Sequence, residues 1–253
     1  MKKSIDISKE QYSLLNRYIG QGDLDSPVTF FGNEPGTSGP DISETLKFIE
    51  NNPRIEVGSG FMLKEAYAHP TTSDFARFIS RLCLGIRYKD DRWFDNLSSL
   101  GKVTLAEHIM APACIKHHSL VNLRPLPRPS ENSWDYSNIN KKDYLKKWNF
   151  TLKGHYSDPE KEERISILKE FFDARTGVVI GVGDRHNKKE FFELLYPEII
   201  FHKAELDNHN VYFNIEHKII LSNYFNNRNG IKLSGLKDLY YFITSRNLIT
   251  CPG

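Results

Sequence analysis

Polar residues placed directly after apolar runs carry the chemistry most readily read from this chain. In Val28-Thr29-Phe30-Phe31-Gly32-Asn33-Glu34-Pro35-Gly36 a β-rich segment breaks into a Gly-polar-polar-Pro-Gly turn. Glycine permits backbone conformations closed to other residues and proline stiffens the turn, so Asn33 and Glu34 are expected to be held rather than loose. The alternative is an ordinary solvated β-turn. The same arrangement recurs in Ser119-Leu120-Val121-Asn122-Leu123, stopped by Arg124-Pro125-Leu126-Pro127-Arg128-Pro129, and in Gly177 to Gly183, which precedes Asp184, Arg185 and His186. It appears again in Lys218-Ile219-Ile220-Leu221-Ser222, which runs into Asn223, Tyr224, Asn226, Asn227 and Arg228. A site rich in Asn, Arg and aromatic side chains reads a planar, hydrogen-bonding ligand, and a nucleobase fits that description.

These groups need elements to position them. Apolar residues at helical spacing predict helices over 42–50, 73–87, 159–172, 188–195 and 236–245, between four strands. Strands separated by helices imply a three-layer α/β/α fold with a central, mostly parallel four-stranded sheet, whose ligands collect at the carboxyl ends of the strands. No repeat or low-complexity linker divides the 253 residues, so one domain with insertions is expected over 1–253.

Composition excludes other classes. No apolar run reaches the ~20 residues of a membrane span, and the first residues lack the apolar middle of a secretion signal, so a cytoplasmic location is the default. Three widely spaced cysteines, Cys83, Cys114 and Cys251, build neither a disulfide framework nor a four-thiolate cluster, and are expected as buried thiols. His117 and His118 are the only close histidine pair, and neighbours on a strand face opposite ways, so no structural metal is expected. Gly181-Val182-Gly183 lacks the third glycine of a dinucleotide loop, no Gly-Lys-Ser/Thr occurs, and no organic cofactor is expected. The Gly-x-Ser-x-Gly and His-Glu-x-x-His signatures are absent too. A net charge of +2 does not announce a nucleic-acid partner, although the lysine run 141–147 is either a local basic face or a solvated helix surface.

The ordered strand-exit motifs resemble the uracil-DNA glycosylase superfamily. The resemblance rests on Gly32-Asn33-Glu34-Pro35-Gly36 as a Gly-x-x-Pro-Gly loop and on Asn122 at the end of the next strand, and extends over about residues 28–245. It implies a monomeric DNA glycosylase, without metal or cofactor, that flips a pyrimidine out of DNA and hydrolyses its glycosidic bond. The base would be uracil or a modified cytosine such as a hypermodified base of viral DNA, with a role in repair or phage defence. Asn33 and Glu34 would be catalytic, either one essential. Phe61 in Gly58-Ser59-Gly60-Phe61 would stack on the base, Asn122 would read it, and Asn223 or Tyr224 would stand where the family's last motif usually opens with His-Pro-Ser. Arg124, Arg128, Asn226, Asn227 and Arg228 would contact DNA. Bond cleavage leaves positive charge on the sugar and negative charge on the base, which suits a carboxylate near C1′ and hydrogen-bond donors at the base.

Each residue also has a plainer reading: Asn122 as a turn residue, Phe61 as core, Arg124 and Arg128 as charges on a rigid loop, and His186, His209 and His217 as structural or solvated. A catalytically silent nucleic-acid-binding module and an enzyme of free nucleosides remain the competing functions.

Overall fold

A computed structural model describes residues 4–35, 42–64, 74–95, 118–128, 133–152, 158–225 and 230–249. Continuous apolar runs form its central strands. Strands β2 (Val28–Gly32) and β6 (Val178–Val182) are almost wholly buried, as expected of strands covered on both faces. Together with β5 (Ser119–Asn122) and β9 (Ile219–Ser222) they make a parallel block in the order β5-β2-β6-β9.

The sheet is larger than the sequence suggests. Among the described residues it has nine strands, in the order β3 (Arg54–Val57), β4 (Gly60–Leu63), β1 (Tyr18–Gln21), β5, β2, β6, β9, β8 (His209–Asn214) and β7 (His202–Leu206), so the expected four-stranded parallel sheet is the middle of a mixed one. On one side β1 pairs antiparallel to β5 and carries the hairpin β3 and β4. On the other, the hairpin β7 and β8 pairs antiparallel to β9.

Seven α-helices form among the described residues: α1 (Lys9–Arg17), α2 (Ile42–Asn51), α3 (Asp74–Tyr88), α4 (Lys141–Lys147), α5 (Pro159–Ala174), α6 (Arg185–Leu195) and α7 (Leu233–Ser245). Side-chain alternation divides the core. Phe31, Val121, Val179 and Leu221 face a cluster with α1, α5 and α6, whereas Phe30, Val178, Ile180 and Ile220 face one with α3 and α7. Phe31 meets Phe172 of α5 and Phe191 and Phe192 of α6, with ring centroids 5.1, 5.5 and 5.6 Å away. Cys83 is buried as expected, His118 is buried against Phe30, and Cys114, Cys251 and His117 lie outside the described residues. No helix among the described residues is long and apolar enough to cross a membrane.

Candidate functional site at the carboxyl ends of the parallel strands

The exits of β2 and β5 are laid side by side by main-chain hydrogen bonds that continue past the strands. Leu123 N donates to Gly32 O (3.1 Å), Arg124 N to Asn33 O (2.7 Å) and Arg128 N to Pro35 O (3.0 Å). These bonds hold the Asn33-Glu34-Pro35 segment as part of the scaffold. Gly32 pairs with Asn122, and a Cβ on Gly32 would lie 2.7 Å from Asn122 Oδ1, so the missing side chain lets the Asn122 amide lie over the β2 exit.

Asn33 is 4% exposed and its amide is held from both ends. Its Oδ1 accepts from Lys188 Nζ, and its Nδ2 donates to Tyr224 Oη at 2.8 Å. Lys188 is fully buried on the first turns of α6 and also donates to Val182 O (3.1 Å) and Gly183 O (2.6 Å), the last carbonyls of the β6 exit. Gly183 has φ +71°, and a Cβ there would lie 2.4 Å from the Tyr224 ring, so this glycine admits the tyrosine to the site. Asn223 lies beside it, its Nδ2 3.2 Å from His209 Nδ1.

Glu34 points inward. Its side chain is 6% exposed, and Oε1 accepts from Arg124 Nη1 at 2.7 Å and from Arg128 Nη2. Arg124 also reaches Asp184 Oδ2 at 3.4 Å, and so bridges the β2, β5 and β6 exits. Burial lowers the Arg124 pKa, but the Glu34 carboxylate outweighs it and the net shift is upward, which keeps the cation charged. Asp184 is different: its side chain is 40% exposed, and it makes no cap to α6 although it occupies the N-cap position. Its backbone is left-handed (φ 41°, ψ 50°), a conformation that costs a non-glycine residue about 1 kcal/mol or more.

Beneath the site, Arg164 of α5 is fully buried and clamps two segments. It donates to Asn122, Leu123 and Arg124 carbonyls of the β5 exit (2.7, 2.7 and 3.4 Å). It also donates to Leu15, Asn16 and Tyr18 carbonyls at the end of α1 (3.3, 2.6 and 3.0 Å). Burial pulls its pKa down to about 10, still far above neutrality.

Several expected roles meet a different geometry. Phe61 is 2% exposed and packed between Tyr18 (ring centroids 5.8 Å apart) and the Arg54 guanidinium (4.5 Å), two strands away from β5, so it offers no face to a ligand. Arg124 and Arg128 are buried against Glu34 rather than displayed to phosphates. Asn226, Asn227 and Arg228 lie outside the described residues. Lys188 and Arg164 fall outside the strand-exit pattern of the sequence, and Asp184 is one strand-exit residue among several in it. The spacing of Arg164 with Ile167, Leu168 and Phe171 was the available signal, because it puts an arginine on the apolar stripe of its helix.

The arrangement thus offers one amide held at both ends, a second amide over Gly32, a phenol, a buried ammonium and one accessible carboxylate at one edge. Among the described residues no group of His, Cys, Asp and Glu could hold a metal ion. No protein-family model matches this chain, and no curated protein matches it.

Proposed function

We propose that this protein is a DNA glycosylase, acting as a monomer, that extrudes a pyrimidine and hydrolyses its N-glycosidic bond. The observation that carries the reading is the side-by-side exit of β2 and β5, which brings the oriented Asn33 amide and the Asn122 amide over Gly32 to one edge. The Gly-x-x-Pro-Gly loop and the strand-end asparagine, which resemble the uracil-DNA glycosylase superfamily, support it.

In this reading the Asn122 amide supplies a donor and an acceptor to the pyrimidine edge. Asn33, fixed by Lys188 and Tyr224, orients the attacking water or a base carbonyl, and its fixed geometry lowers the reorganisation needed in the transition state. In the same reading the Lys188 charge, held behind Asn33, favours the departing anionic base. Asp184 is the accessible carboxylate suited to the cationic sugar or to the water. Glu34, clamped by two arginines, shapes the loop instead. That clamp equally favours a binding module without catalysis.

One assay separates the two. The protein is incubated with uracil-containing, mismatched, hydroxymethylated and glucosylated DNAs, and alkali then reveals abasic sites. Strand breaks at one substrate are expected. DNA binding with no breaks on any substrate leaves the binding module, and neither binding nor breaks refutes both.

A further inference from the structure

A groove of about 1160 Å³ opens between the start of α1, helix α4 and the first turn of α5. It is joined to the β5 exit through Tyr144 of α4, which lines the groove and whose Oη accepts from Leu126 N at 3.0 Å. Its walls are partly apolar, with Ile7, Ile139 and the exposed Leu152.

The charges are unevenly satisfied. Asp158 and Glu160 both bind Lys147 (2.7 and 2.8 Å), and Asp158 also accepts the α5 backbone amides of Glu160 and Lys161. Asp143 is the remaining carboxylate of the groove, which Lys9 and Lys146 also line. Lys161 stands apart. It is 5% exposed, its Nζ lies 4.4 Å over the Phe150 ring, and among the described residues its ammonium has neither a hydrogen bond nor an ion pair. The Tyr12 hydroxyl in the same groove has no hydrogen-bond partner among the described residues. Burial lowers the Lys161 pKa, opposed by Asp158 and reinforced by Lys147.

A mostly buried ammonium that reaches solvent only through a groove is open to whatever acceptor that groove admits. Lysine acts as a point charge and tyrosine as a single donor, a pair that suits a compact tetrahedral oxyanion better than the planar carboxylate matched by an arginine fork. The apolar wall suits an organic group attached to it. We propose that this groove is a binding site for a phosphate ester, with the phosphate on Lys161 Nζ and Tyr12 Oη.

The site does not depend on the strand-exit reading, and its test does not involve base release. Thymidine 5′-monophosphate, a short oligothymidylate and thymidine are titrated against the full chain by calorimetry, in wild type, Lys161→Met and Tyr12→Phe. Met keeps an apolar stem on Phe150 and removes only the charge. Lys161→Met should weaken phosphate-ester binding about tenfold or more and Tyr12→Phe about threefold, as expected for charge-assisted and ordinary hydrogen bonds. Binding of the mononucleotide identifies a free nucleotide as the ligand, and binding of the oligomer alone identifies a polynucleotide backbone. The proposal is overturned if neither ester binds at millimolar concentration, if thymidine binds as well as its phosphate, or if affinity is unchanged in both variants. Should Lys161→Met fail to fold, Tyr12→Phe decides.

Discussion

Glu34→Gln tests whether this carboxylate holds the site together or does chemistry in it. The wild-type side chain is 6% exposed, and a single oxygen accepts from two buried guanidinium groups. An amide of the same shape keeps the volume and removes the charge that compensates both. Removing one partner from a buried ion pair costs about 3–5 kcal/mol, because the remaining charge stays desolvated. That is a large part of the ~5–15 kcal/mol that holds a domain folded. For a chain of this size it corresponds to a Tm lower by roughly 6–20 °C, at ~2–4 °C per kcal/mol. Thermal and urea unfolding of Glu34→Gln, Arg128→Met and the double variant measure the pair, and the double variant should be less destabilised than the sum of the singles. If Glu34→Gln melts within about 1 °C of wild type and shows no coupling to Arg128, the clamp argument is wrong. Loss of base release at unchanged Tm would return Glu34 to a catalytic role.

Asp184→Asn keeps a residue that tolerates the left-handed backbone and removes the accessible charge. It should fold normally, keep DNA affinity and lose about a hundredfold or more in kcat, and full activity on a substrate that wild type cleaves would remove Asp184 from the mechanism. Asn122→Asp replaces an amide donor with an acceptor and should shift or abolish selectivity on the DNA panel, whereas an unchanged profile excludes Asn122 as base reader. Asp158 tests the packing of α5 by pH. Burial raises its pKa, but the Lys147 ion pair and the Lys161 and Glu160 amides outweigh it, and the net shift is downward. The stability it adds is therefore present above the ordinary aspartate range and is lost as pH falls through the lower folded value. Asp158→Asn, which still caps, should be less stable than wild type by about 1 kcal/mol near neutrality and converge with it in acid, and parallel acid-unfolding curves would refute this.

The central strands and five of the helices were legible because their signals are local. Val178 to Val182 is an unbroken apolar run covered on both faces, and 74–88 carries apolar residues at helical spacing. The strands flanking that block were not. Strands β1, β3 and β4, unlike the equally short β5 and β9, carry a glycine or charges within their four residues (Gly20, Gly60, Arg54 and Glu56), and β7 is mostly exposed. One cue was present: Asp207 and Asn208 both have positive φ (48° and 63°), as a two-residue β7–β8 turn requires.

At the site, the chain order by itself determined which side chains leave which strands, because turn chemistry and apolar runs act within a few residues. Asn33, Glu34, Asn122, Asp184 and Tyr224 follow from that alone. What each one faces depends on partners far along the chain, and only tertiary packing decided it. Lys188 meets Asn33, and Arg164 meets the carbonyls of α1 and of the β5 exit, across long stretches of sequence. Glu34 turned inward because two arginines of the next strand's exit loop compensate its charge there, whereas Asp184, with one guanidinium 3.4 Å away, stayed at the surface. Desolvation sets that division: a carboxylate is stable inside only where its counter-charges converge, and convergence is a property of the folded chain.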